Sequence, residues 1–130
     1  MAYYLDTSAL VKLVVAETET AALRVWLGEA DRLPVSCDLA RTELLRAVRR
    51  AAPDQLVQAQ AVLDSITLME VTTATFDTAG LLDPAALRTL DAVHLASALD
   101  LGDDLAGIVT YDERQAEAAR ANGVPVTSPR

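Results

Sequence analysis

Short apolar runs alternate with amphipathic stretches along the whole chain. Ala2-Tyr3-Tyr4-Leu5 is apolar and stops at Asp6-Thr7-Ser8. That predicts a short buried strand and then a helix over 9–15, capped by Thr7 or Ser8. A second helix is expected over 17–29, with Ala22, Leu23, Trp26 and Leu27 on its apolar face. Residues 33–37 read as a second strand, and Asp38 as the N-cap of a helix reaching residue 52. Pro53 suits the first position of a helix running to residue 65. A third strand over 66–71 precedes a helix over 72–82, broken by Asp83-Pro84. A further helix over 90–101 is apolar almost all the way round, the mark of a buried helix. Residues 107–111 form a fourth strand and 112–122 the last helix, closed by Gly123. Residues 124–126 add a short final strand. Strands alternating with helices imply one α/β domain over 1–130, with a mainly parallel central sheet of four to five strands and helices on both faces.

Ligands of such sheets gather beyond the carboxyl ends of the strands, and there the chain places acids. Asp6 follows the first strand and Asp112 the fourth. Glu43 projects between Leu39 and Ala47 at ~100° per residue. Asp91 opens the apolar helix and shares a stripe with His94 and Ala98. No lysine or arginine stands beside any of the four at an obvious pairing distance along the chain. An acid in an apolar setting is costly unless neutralised, and one divalent cation would serve all four. Each also has a plainer reading. Asp6 suits a turn, Glu43 a surface pair with Arg46, Asp91 a helix N-terminus capped by Thr89, and Asp112 a capping box with Gln115. His94, the lone histidine, is read as a satisfied buried side chain, with orientation of Asp91 or contact with substrate as the other roles open to it.

Composition narrows the classes. With 130 residues, 52% apolar and 23% charged, the chain is a globular domain rather than a disordered one. No apolar run reaches the ~18 residues that cross a bilayer, and the first residues lack the basic region of a secretion signal. Cys37 is the only cysteine, which excludes an internal disulfide or cysteine-rich zinc site; a reducing cytoplasm is expected. A net charge of −8 opposes binding to a phosphate backbone. Bound divalent cations would offset part of it. Arg41, Arg46, Arg49 and Arg50 gather on the Glu43 helix, either as phosphate contacts or as a solvated face.

The segments Tyr4-Leu5-Asp6-Thr7-Ser8-Ala9-Leu10-Val11-Lys12, Thr42-Glu43-Leu44, Leu90-Asp91-Ala92-Val93-His94-Leu95-Ala96 and Val109-Thr110-Tyr111-Asp112 together resemble the motifs of PIN domains. The resemblance is best to the VapC-type toxin ribonucleases of prokaryotic toxin–antitoxin pairs and spans essentially the whole chain. It implies an endoribonuclease dependent on Mg2+ or Mn2+, dimeric, and inhibited by a cognate VapB-type antitoxin. By position, Asp6 and Asp91 would be the main metal ligands, with Glu43 and Asp112 completing the acidic cluster. Ser8 or Thr7 would bond the site through a hydroxyl; Ser8, Arg46 and Arg50 are the candidates for contact with RNA. Such an ion prefers oxygen ligands and lowers the pKa of a bound water. Attack by water rather than by a 2′-hydroxyl leaves 5′-phosphate and 3′-hydroxyl ends. The acidity of the chain suits a basic antitoxin tail.

Two other classes compete. A receiver domain needs a phospho-acceptor aspartate after a middle strand, where Met69-Glu70-Val71-Thr72 has none. A haloacid-dehalogenase-like site needs an acid two residues after Asp6, where Ser8 stands. A catalytically silent PIN scaffold remains as a binding module.

Overall fold

The structure is a computed structural model describing residues 1–130. Its strands are β1 (Ala2–Leu5), β2 (Leu33–Cys37), β3 (Thr67–Met69), β4 (Leu105–Val109) and β5 (Val126–Thr127). Its helices are α1 (Thr7–Lys12), α2 (Thr20–Gly28), α3 (Leu39–Ala51), α4 (Leu56–Ser65), α5 (Thr73–Gly80), α6 (Thr89–Leu99) and α7 (Glu113–Ala121). All strand pairs are parallel, in the order β3-β2-β1-β4-β5. No helix is long and apolar enough to cross a membrane.

Alternation along the strands sorts the core onto two faces. Leu5 and its register partner Val109 point to one side, where they pack with Leu10, Leu23, Leu44, Val48 and Leu63 from α1 to α4. Tyr4 and its partner Ile108 point to the other, against Leu95 and Ala98 of α6 and Ala118 and Ala119 of α7. Period two in the strands therefore builds two helical layers around one sheet. Helix α6 is buried continuously from Ala92 to Ala98, as its all-round apolar pattern requires. Its small residues Ala92 and Ala96 meet Ala79 of α5.

Several boundaries differ from the expectations, each for a local reason. Asp6, not Thr7 or Ser8, caps α1: its backbone is extended and its carboxylate accepts the Ala9 N–H. Asp38 is already helical at φ −59°, forms no cap and instead pairs with Arg41 at 3.1 Å. Pro53 opens a 3-10 turn, Pro53–Gln55, and the α-helix proper starts at Leu56. Strand β3 is shorter than 66–71. Strand β4 lies two residues earlier than expected, which leaves Thr110, Tyr111 and Asp112 in the loop beyond it. Gly107 is required within β4, because a Cβ there would stand 2.8 Å from the Pro125 carbonyl oxygen. Gly123 closes the last helix at φ +75°, as anticipated.

The chain runs from β1 outward through β2 to β3, then returns to place β4 on the opposite side of β1. The crevice at the carboxyl ends of β1 and β4 is thus the reversal point at which open α/β sheets bind ligands.

Candidate active site

Asp6 lies at this reversal point and is 4% exposed. Its N–H donates to Val109 O at 3.2 Å, tying it to the end of β4. Its Oδ1 accepts from Ser8 Oγ at 2.5 Å and Ala9 N at 3.2 Å, and its Oδ2 from Thr110 Oγ1. Burial pushes its pKa up in spite of these bonds. The Ser8 hydroxyl is committed within the site, since it also accepts the Tyr111 N–H at 2.9 Å. Thr110 is a scaffold residue that sequence reasoning missed. Its hydroxyl serves Asp6 and accepts the Asp112 N–H at 3.1 Å, so one side chain links two acids. With the fourth strand expected over 107–111, Thr110 read as a strand residue and carried no separate signal.

Asp112 caps α7, its Oδ1 accepting the N–H groups of Arg114 at 2.9 Å and Gln115 at 3.5 Å. Gln115, fully buried, donates from Nε2 to the Asp91 backbone carbonyl at 2.9 Å. That bond joins α7 to the first turn of α6. Asp91 is partly exposed, and its carboxylate accepts no hydrogen bond from the protein. Burial, then the charges of Asp112 and Asp6, push its pKa up; His94 and Arg88 only partly oppose them. These three acids therefore share one electrostatic site, brought together from β1, α6 and the β4–α7 loop.

Glu43 differs. Its Oε1 accepts from Thr7 Oγ1 at 2.8 Å and from His94 Nε2 at 2.5 Å. His94 is 2% exposed, with Tyr4 Oη at 2.7 Å and Cys37 Sγ at 3.9 Å from Nδ1. Burial opposes a charge on the ring, but the Cys37 and Glu43 contacts prevail and push its pKa up to about 10. The upward shift favours the charged ring, with Nε2 against Glu43 and Nδ1 against the Tyr4 hydroxyl. Glu43, in turn, is held below its ordinary value by His94 and Thr7 against the upward pull of burial. The sequence offered no lysine or arginine as a partner for this acid; the fold supplies a histidine from another helix. His94 is satisfied, as expected, and it is also the counter-charge of Glu43 rather than a partner of Asp91.

The remaining cations serve other acids or none. Lys12 pairs with Glu17 and Glu19, Arg32 with Glu29, and Arg41 with Asp38. Asp6, Asp91 and Asp112 therefore have no cationic partner within 4.0 Å. Arg46 and Arg50 are exposed and share the Glu43 face of α3, about 5 and 10 Å further along its axis.

Residues 3–121 match the PIN domain family model. The chain belongs to the PIN-domain family. This PIN domain is 44% identical over 129 residues to ribonuclease VapC46 of Mycobacterium tuberculosis, covering 98% of each chain. It is 40% identical over 131 residues to ribonuclease VapC47 of the same species, covering 97% of this chain and 96% of that one. Among solved structures it resembles Mycobacterium tuberculosis VapC20, described as a Sarcin-Ricin loop cleaving toxin, with a TM-score of 0.77 at 17% identity over 98% and 99% of the two chains. VapBC2 from Rickettsia felis, bound to a promoter DNA fragment, gives 0.70 at 14% identity over the full length of both chains. These two likenesses bear on the fold, and they agree with the single five-stranded domain.

The PIN-domain site presents only oxygen donors in its unpaired acids, the set that suits a hard cation. No three of its acids, histidines or cysteines stand close enough together to form a ready-made metal site. The donor set is of the kind that a hard divalent cation takes, directly or through water.

Proposed function

We propose that this protein is the toxin of a toxin–antitoxin pair, an endoribonuclease that hydrolyses RNA phosphodiester bonds with Mg2+ or Mn2+. The observation that carries the reading is the Asp91 carboxylate, free of hydrogen bonds and crowded by the charges of Asp6 and Asp112. Such a group is poorly placed for stability and well placed for a cation. The relatives named as ribonucleases support the RNA-cleaving chemistry. A toxin–antitoxin complex from Klebsiella pneumoniae, of matching fold, supports an antitoxin partner.

Asp6 and Asp91 would hold the ion, with Asp112, whose charge acts on Asp91, beside them. Glu43 keeps Oε2 free of protein bonds and would be the acid left to accept from a water of the site. The ion, when bound, supplies a water of lowered pKa and charge neutralisation at the phosphate. Ser8 and Thr110 bond both oxygens of Asp6 and so fix the orientation that acid would offer an ion. Gln115 anchors the turn that presents Asp91. Arg46 and Arg50 would contact the RNA backbone as it passes α3.

Incubation of the purified protein with a structured RNA tests this. Cleavage is expected with Mg2+ or Mn2+, none in excess EDTA, and a loss of at least about a hundredfold in Asp6→Asn and Asp91→Asn. Full cleavage in EDTA, or by either variant, would sink the metal-site reading.

A further inference from the structure

A cavity of about 300 Å³ opens beside Asp91, between the N-terminal ends of α6 and α7. Pro84 and Leu87 supply apolar wall, and Arg88, Asp91, Arg114 and Glu117 supply the charges. Arg88 is the residue before α6 and Arg114 lies in the first turn of α7, so both stand where helix amides point outward. Both side chains are exposed, and neither makes a hydrogen bond or ion pair with the protein. Glu117 follows Arg114 by three residues on the same wall, yet the two do not pair within 4.0 Å. In a chain of net charge −8, two unspent guanidinium groups facing one cavity are a local exception.

We propose that this cavity is a nucleotide subsite for the RNA strand, in which Arg88 and Arg114 grip the phosphate adjoining the scissile one and Pro84 and Leu87 receive a ribose or base face. Guanidinium groups match phosphate oxygens in paired hydrogen bonds. The volume is at the lower end of cavities that enclose a small ligand, about 300 Å³. Asp91 stands on the cavity wall, so a nucleotide held there lies next to the acidic site. Its own negative charge is then met by the two arginines and not by the acids alone. Arg46 and Arg50 lie on α3, which leaves β2 on the other side of β1. The strand would therefore cross the acids between two basic flanks. Arg88 and Arg114 are positioning residues in this scheme and do no chemistry.

The inference rests on the ribonuclease reading, and one experiment separates the two. Steady-state cleavage of a short RNA is measured with Mg2+ across a salt series for wild type, Arg88→Gln, Arg114→Gln, the double variant, and Arg88→Lys with Arg114→Lys. The double glutamine variant is expected to raise KM roughly tenfold and change kcat less than about threefold. Its slope of log KM against log salt should be shallower by about 0.7 for each phosphate that the protein no longer neutralises. The double lysine variant keeps the charges and is expected to keep most of the salt slope. Thermal melting of all variants should match wild type, since both side chains are exposed. A wild type that fails to cleave RNA overturns the ribonuclease reading and this subsite with it. An active wild type whose double glutamine variant retains both KM and salt slope overturns the subsite alone.

Discussion

Replacing His94 with glutamine removes the cation bonded to Glu43 while keeping one hydrogen-bonding group in the same space. A folded-state pKa of about 10, against an ordinary 6.5, corresponds to ~4 kcal/mol of stability at pH 7, at about 1.4 kcal/mol per pH unit. The imidazole is buried, so solvent screening takes little from this figure. Breaking one side of a buried ion pair typically costs about 3–5 kcal/mol, in the same range. The sign follows from the direction of the shift. A raised histidine pKa gives stability that is fully present below pH 6.5 and is lost as pH rises toward 10. Urea unfolding of wild type and His94→Gln at pH 6, 8 and 9.5 reads this directly, as midpoint shifts at constant slope. The gap between the two proteins should be ~4 kcal/mol near pH 6–7 and shrink to ~1 kcal/mol at pH 9.5. A gap that stays constant over this range would mean that His94 is neutral throughout, and the imidazolium–Glu43 pair would have to be abandoned.

Asp91→Asn should melt at a higher temperature than wild type in metal-free buffer at pH 7, because it removes repulsion from Asp112 and Asp6, while activity is lost. That difference should close at low pH, where the raised pKa leaves the wild-type carboxyl protonated; a lower melting temperature at pH 7 would contradict the crowding. Asp112→Asn keeps a capping side chain and should unfold close to wild type, whereas Asp112→Ala should lose ~1 kcal/mol. Both variants should lose activity, and equal stability losses in urea would refute the capping role. Gly107→Ala puts a Cβ 2.8 Å from the Pro125 carbonyl oxygen. It should cost about 1–3 kcal/mol through overpacking, and an unchanged melting curve would show that β5 yields freely.

The layered fold was legible because each period was clean. The apolar opening ending at Asp6 marked β1, and the all-round apolar stretch of α6 marked a buried helix. Both faces of the sheet followed from the βα alternation. Boundaries were less legible where capping chemistry is ambiguous. Asp6, Thr7 and Ser8 can all cap a helix, and the backbone angle at Asp6 decided among them. Asp38 looked like a cap, but its helical backbone turned it toward Arg41 instead. The site was partly legible. All four acids were visible in the sequence, three at element ends and Glu43 on a helix face, yet their inequality was not. Glu43 and His94 are 51 residues apart, so their pairing is a product of how α3 and α6 pack. Thr110 was hidden for a related reason: its hydroxyl matters only because the β4–α7 loop lies beside Asp6. Gln115 fits a capping box by its spacing from Asp112, whereas its buried amide reaches Asp91 across the α6–α7 contact.

The most direct test is cleavage of a defined RNA in 18O-labelled water with Mg2+, comparing wild type and Asp91→Asn, with the product ends read by mass spectrometry. Water activated at the acidic site requires one 18O on a new 5′-phosphate and an unlabelled 3′-hydroxyl for wild type, and no products for Asp91→Asn. Products ending in a 2′,3′-cyclic phosphate, or labelled products formed equally well by Asp91→Asn, would contradict a metal-dependent hydrolase built on Asp6, Asp91 and Asp112.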